Sequence, residues 1–314
     1  MSGLVTIGET MGLFTAAEPG RRADRFRLGI GGAESNVAIG MARLGAHATW
    51  IGRVGQDTAG DLVRRELTAE GVLAHISVDE SAPTGLMVKT QPLAGLSRVE
   101  YHRTGSAGSR LSPGDIDPRV IQGAGLVHVT GITPALSGSA AAAIETALDL
   151  AEAANVPISF DVNHRSALWR GRDSAGAYRA IARRATIVFA GADEAAMLVG
   201  VEAGTAPEAL ARAIADLGPS QVVIKLGAQG CLALADGATT AAGAIPVAAV
   251  DTVGAGDAFV AGYLAEYLEG SAMSERLAVA VRAGACACMA YGDWESLPHR
   301  ADLALLDSID PVIR

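Results

Sequence analysis

Cysteine is scarce in this chain: three in 314 residues, Cys231, Cys286 and Cys288. No disulfide frame follows. The C-x-C pair sits in an alanine-rich run without the further His or Cys ligands that a metal site needs. The three therefore read as small buried hydrophobes of a reducing compartment. Basic residues are outnumbered, 25 against 34 acidic ones, for a net charge of -9. With no basic stripe, nucleic acid is excluded as an expected partner, and the pairs Arg21-Arg22, Arg64-Arg65 and Arg183-Arg184 read as solvated surface. No apolar run reaches membrane-spanning length free of charge or glycine. Leu4-Val-Thr-Ile7 opens the chain with no basic flank and no long apolar core, so no signal peptide is expected and a cytoplasmic protein away from membranes is. There is no fixed-period repeat, no low-complexity linker, no G-x-x-x-x-G-K-[ST] loop and no protein-kinase signature set. No G-x-G-x-x-G follows the first strand, which argues against a Rossmann dehydrogenase.

What is present is a chain that is 50% hydrophobic with 38 scattered glycines, the composition of a glycine-rich enzyme. Strand-length apolar runs recur at Leu4 to Gly8, Ala48 to Ile51, Leu126 to Thr130, Ile158 to Asp161, Ile187 to Phe189 and Val222 to Leu226. Amphipathic stretches such as Gly138 to Ala154 and Pro207 to Leu217 lie between them. The alternation predicts an α/β fold with a mainly parallel central sheet flanked by helices, and ligands at the carboxyl ends of its strands. From about 74 to 103 the pattern changes to short strands without helices: His75 to Val78, Thr84 to Thr90 and Arg98 to Arg103. A small β-sheet inserted in a single domain spanning 1–314 is expected there, acting as a lid that excludes water, with Gly105 to Ser109 as a flexible stretch after it.

The segment Asp251-Thr-Val-Gly254-Ala255-Gly256-Asp257 runs directly into an apolar helical pattern. Glycines at a helix start let the backbone approach a ligand closely, and the free N–H groups there favour phosphate oxygens. Asp257 in that first turn has two readings. It complements the helix dipole, or it accepts a substrate hydroxyl's proton while the amides of Gly254, Ala255 and Gly256 hold the charge developing on a transferred phosphoryl group. A carboxylate beside an anion site repels phosphate unless the site uses that proton, which favours the second. Upstream, Gly31-Gly32-Ala-Glu-Ser-Asn36 pairs two glycines with a side chain that both donates to and accepts from hydroxyls; the alternative is a tight turn with Asn36 near a helix start.

Asp251 to Phe259 resembles the C-terminal signature of the ribokinase-like, or PfkB, carbohydrate kinases. Gly31 to Ala38, with Ala42-Arg-Leu-Gly45 and Ile51 to Gly60, is similar to the family's N-terminal sugar-binding motif. The resemblance implies a ribokinase-like fold with a β lid, ATP and Mg²⁺ as cofactors, a homodimer formed through the lid, and Asp257 as general base toward a primary hydroxyl. Val99 to Ala107 and Asp161-Val-Asn163-His-Arg165-Ser-Ala-Leu-Trp169 resemble segments of the 2-keto-3-deoxygluconate kinases. That likeness assigns Tyr101, Arg103 and Arg165 to an acidic sugar, whose carboxylate matches a guanidinium fork. It also assigns Asp293 to the substrate and Asn163 to the nucleotide phosphates. Met87 stands where an aromatic residue is expected. Lys225, Gly227 and Gly230 resemble the family's nucleotide edge. The usual N-x-x-E segment reads Gly191-Ala-Asp193-Glu194, which leaves Glu194 either to act on magnesium through water or to serve as a charge at a helix N-terminus. Asp251 is expected to help order a monovalent cation such as K⁺, as in ribokinase. A neutral-sugar kinase of the fructokinase or ribokinase type and a catalytically silent sugar or nucleotide sensor are the alternatives.

Overall fold

In the computed structural model, residues 3–20, 23–93 and 96–307 are described; the Arg21-Arg22 pair lies outside them. Among the described residues, thirteen strands form two sheets. In chain order they are β1 (Leu4–Ile7), β2 (Met11–Ala16), β3 (Phe26–Gly31), β4 (Ala48–Gly55), β5 (Leu73–Asp79), β6 (Leu86–Leu93), β7 (Leu96–His102), β8 (Leu126–Thr130), β9 (Ile158–Asp161), β10 (Ile187–Gly191), β11 (Gln221–Lys225), β12 (Cys231–Ala235) and β13 (Ala238–Ala242). The large sheet has the order β13-β12-β11-β10-β9-β8-β1-β4-β5 and is parallel from β11 to β5; β12 and β13 complete it as an antiparallel edge. Successive residues of its central strands point to opposite faces, so each feeds two cores. Val127 and Val188 pack under the helices Gly138–Ala153, Ser174–Ala182 and Pro207–Ala215. Leu126 and Phe189 pack under Ala33–Arg43, Ala255–Leu268 and Met273–Ala287. Burial on both faces explains the unbroken apolar runs in the sequence.

The small sheet has the order β3-β2-β6-β7, with β2 and β6 parallel and the outer pairs antiparallel. Its inner face has its own core of Met11, Leu13 and Met87. The insertion expected at about 74–103 is corrected here in two ways. The strand around His75 to Val78 is β5, which pairs in parallel with β4 at the edge of the large sheet, because the helix Thr58–Ala69 between them makes a parallel crossover. Half of the small sheet comes instead from β2 and β3, close to the N-terminus. Asp57 links the two sheets. One carboxylate oxygen caps Thr58–Ala69 by accepting from Gly60 N at 2.8 Å, and the other accepts from Thr84 N at 2.7 Å, at the root of β6. Among the described residues no helix is long and apolar enough to cross a membrane.

Candidate active site

The carboxyl ends of β9, β10 and β11 deliver Asp161, Gly191 and Lys225 to one place, facing the start of the helix Ala255–Leu268. Gly254 precedes that helix with φ 82°, a left-handed conformation suited to glycine. A Cβ there would also collide with the Asp293 carbonyl. Two cavities meet at this helix start. A polar one of about 570 Å³ lies beneath the small sheet and is lined by Met87, Tyr101, Arg103, Asn36, Arg165 and Asp257 among others. A more apolar one of about 560 Å³ is lined by Gly227, Gly230, Ile245, Phe259, Val281 and Ala285 among others. Thr252, Gly256 and Lys225 border both. A Cβ on Gly256 would meet only Lys225 Nζ, at 3.8 Å, so the room left by this glycine opens between the cavities and is not used by the protein.

Asp257 is 8% exposed, in the first turn of its helix. Asn36 Nδ2 donates to its Oδ2 at 2.9 Å and Asn163 Nδ2 to its Oδ1 at 3.3 Å. Burial pushes its pKa up to about 7, helped by the Asp161 charge and opposed by the Asn36 hydrogen bond and by Arg165 and Lys225. A carboxyl group poised there can take up a proton at neutral pH. Lys225 Nζ donates to both oxygens of Asp161, at 2.7 and 2.9 Å. Burial opposes the charge on Lys225, but Asp161, Glu194 and Asp257 together outweigh it and keep the ammonium protonated. A fixed cation, the helix-start residues Gly254 and Gly256, and Asp257 thus border one cavity large enough for a monosaccharide. This arrangement suits the transfer of a phosphoryl group to a hydroxyl.

The pattern of the pfkB family carbohydrate kinases matches residues 1–300. The chain belongs to that family. It is 38% identical to the 2-dehydro-3-deoxygluconokinase of Thermoproteus tenax, over 95% of this chain and 92% of that protein. It is 36% identical to the enzyme of the same name from Bacillus subtilis strain 168, over 96% and 94%. The crystal structure of a PfkB protein from Polaromonas sp. JS666 superposes with a TM-score of 0.87 at 35% identity, covering 96% of this chain and 99% of that one. The fold of this carbohydrate kinase is ribokinase-like.

Within the kinase, most of the residues singled out from the sequence border the two cavities, Gly31 and Asp251 being outside both linings, and several have partners that the sequence did not announce. Arg103 is buried against Glu9: Nε donates to Glu9 Oε2 at 2.7 Å and Nη2 lies 2.6 Å from the same oxygen. Its guanidinium stacks near Tyr101, 5.7 Å from the ring centre. Arg165 is exposed and faces the polar cavity, with no carboxylate partner among the described residues. Asn163 has φ 38°, a conformation that asparagine tolerates better than most residues, and its amide faces Asp257 in the polar cavity. Glu194 accepts from Gly191 N and from His164 N, both at 2.7 Å, and so fixes the turn that carries Asn163 and Arg165. Gly31 and Gly32 owe their identity to packing: a Cβ on Gly31 would press on Met87 and Asp293, and one on Gly32 on the Glu9 carbonyl. Asp293 borders the polar cavity but also pairs with Lys89 at 3.1 Å. Asp251 turns away from both cavities toward the same lysine. Glu9 and Lys89 gave no signal in the sequence, because their burial follows from strand pairing and not from any motif. The apolar wall Ile245 to Val247 lies in irregular chain, with no periodicity to reveal it.

Proposed function

We propose that this kinase transfers the γ-phosphoryl group of ATP to the primary hydroxyl of 2-keto-3-deoxygluconate. The observation that carries the reading is the meeting of the two cavities at Gly256. ATP has an apolar slot for its base beside Gly227 and Gly230 and an exit for its phosphates past Lys225. The sugar acid has the polar cavity, with Arg165 for its carboxylate, Tyr101 and Arg103 along its chain, and Asn36 Oδ1, which has no protein partner, for a hydroxyl. Asp257 takes the proton of the acceptor hydroxyl as the new O–P bond forms. The bond from the γ-phosphorus to the bridging oxygen breaks and ADP leaves. The amides of Gly254, Ala255 and Gly256 and the Lys225 ammonium stabilise the charge on the transferred group. The residues fit a magnesium ion carried chiefly by the nucleotide: among the described residues no group of three or more His, Cys, Asp or Glu is placed to hold a metal. Glu194 borders the polar cavity with lone pairs free for the water around such an ion, which when bound neutralises phosphate charge.

Two features favour a neutral sugar as the second reading: Met87 offers no hydroxyl, and Glu9 already neutralises Arg103. An ADP-release assay over 2-keto-3-deoxygluconate, fructose, ribose and nucleosides separates the two. The sugar acid is expected to give the highest kcat/KM. Turnover of fructose with none of any acidic sugar would overturn the proposal. A homodimer through the lid is part of the same reading, supported by Phe26, Leu28, Leu93 and Leu96, which the small sheet leaves exposed. Sedimentation of the wild type against Phe26→Lys/Leu28→Lys tests it, and a wild type that sediments as a monomer at micromolar concentration removes it.

A further inference from the structure

Met87 and Lys89 are two residues apart on β6 and share its inner face. Met87 borders the polar cavity, whereas Lys89 is 1% exposed and reaches toward the loop before the catalytic helix. Its Nζ lies 2.6 Å from Asp251 Oδ2 and donates to Asp293 Oδ1 at 3.1 Å and to the Gly292 carbonyl at 3.2 Å. Among the described residues Asp251 Oδ2 has no other partner, so this oxygen answers to the Lys89 ammonium alone. The remaining oxygen of Asp251 accepts from Val253 N at 3.2 Å and Ser97 Oγ at 3.3 Å. Behind Asp293, Glu295 accepts from the Asp293 amide at 2.9 Å. Burial works against the charge on Lys89, but Asp293 and Asp251 outweigh it and hold the pKa above the usual lysine value.

The ligands of this ammonium come from two segments. Asp251 opens the stretch leading to Gly254, and Gly292 with Asp293 forms the opposite wall, against which Gly254 is packed without room for a Cβ. We infer that Lys89 is a positioning residue whose ammonium serves as a built-in monovalent cation. It draws together the two walls that set the Gly254 to Gly256 amides, ties the small sheet to them, and makes turnover independent of potassium. A plain buried ion pair would stabilise the protein without any such role in turnover. Beside Asp251 and Lys89 lies a void of about 20 Å³ bordered by Thr15, Ala16, Gln91 and Tyr291, so truncating Lys89 enlarges a space that already exists.

The experiment compares wild type, Lys89→Ala and Lys89→Met in choline buffers with and without K⁺ or NH4⁺, by steady-state kinetics and by thermal melting without sugar. Wild-type turnover is expected to be the same in choline and in K⁺. In Lys89→Ala, kcat is expected to fall on the order of 10²-fold, the usual consequence of an ångström-scale misplacement of transition-state donors. K⁺ or NH4⁺ is expected to restore much of it and to raise the melting temperature in step. Lys89→Met fills the space with an apolar chain and is expected to stay impaired in every salt. The inference rests on kinase chemistry but not on which sugar is phosphorylated, because cation-dependent melting needs no sugar and the kinetics use whichever acceptor turns over best. Wild-type turnover that climbs with K⁺ overturns it and requires no variant to fold. A folded Lys89→Ala that keeps its kcat, or that no cation restores, overturns it as well.

Discussion

Replacing the proposed base by its neutral isostere, Asp257→Asn, is expected to cut turnover sharply and at the same time to stabilise the protein, with a pH dependence that can be worked out. The native carboxyl group holds its proton up to about 7, against an ordinary value of 3.8. At 1.36 kcal/mol per pH unit that gap makes the ionised, desolvated Asp257 a liability of about 4 kcal/mol above pH 7. The sign follows from proton binding. Between pH 4 and 7 the folded protein holds a proton that the unfolded chain has released, so stability attributable to this group falls as pH rises; below pH 4 both states are protonated and the cost is absent. The asparagine removes the charge but leaves one of the two amide donors, Asn36 or Asn163, without its acceptor. That loss is about 1–3 kcal/mol. A net gain of roughly 1–3 kcal/mol at pH 8 remains, a rise of a few degrees in melting temperature for a chain of this size. Scanning fluorimetry of both proteins from pH 4 to 8.5 reads the difference. The variant should melt higher at pH 8, with the gap closing toward pH 4, while kcat falls by about 10²–10⁴-fold. A variant that melts no higher than wild type at pH 8, or a gap that does not narrow in acid, would refute the electrostatic account of the base.

Three further outcomes are expected. Arg165→Ala should raise KM for an acidic sugar by about 10- to 100-fold, the worth of a charge-assisted hydrogen bond, with little change in melting temperature because the side chain is exposed; an unchanged KM would point to a neutral acceptor. Gly256→Ala should fold and melt as wild type, since its Cβ meets only Lys225 Nζ at 3.8 Å, yet lose turnover because the methyl group stands between the two cavities; full activity would show that phosphate does not pass there. Glu194→Gln should weaken sugar binding and cost about 1–3 kcal/mol of stability, since its amide end cannot accept from a backbone N–H as the carboxylate does at both Gly191 and His164. A change confined to the magnesium dependence of the rate would assign Glu194 to the metal alone.

The large sheet was legible because burial on both faces leaves unbroken apolar runs, and β8 and β9 fall where those runs stand. The small sheet was half legible. Its strands β6 and β7 stand in a stretch of short strand-like runs with no helical pattern, but Gly12, Gly29 and Gly31 interrupt β2 and β3 and hide them. The alternation of β5 is the same whichever sheet receives it, and only the helix Thr58–Ala69, which returns it parallel to β4, decides. At the site, the glycine-rich helix start from Gly254 to Asp257 could be placed from the order of its residues alone. Residues that act by facing a partner far away in the chain could not. Glu9 meets Arg103 only after β2 and the rest of the small sheet fold over the body, and Lys89 finds Asp251 and Asp293 across more than half of the sequence.

The two cavities share part of the body, but only the polar one also takes a wall from the small sheet, and this shapes how the protein can change. Met87, Val99, Tyr101 and Arg103 all come from β6 and β7 or the residue just after them, whereas Gly227, Ile245, Phe259 and Val281 belong to the body. In the proposed reading, substitutions in that hairpin can revise the choice of acceptor without touching the donor cavity, whereas Asn36, Arg165 and Asp257 tie the rest of the acceptor site to the body. A new sugar preference is within reach of a few side chains on a single pair of strands, provided that Lys89, which shares that hairpin with Met87 but answers to the loop below, is left in place.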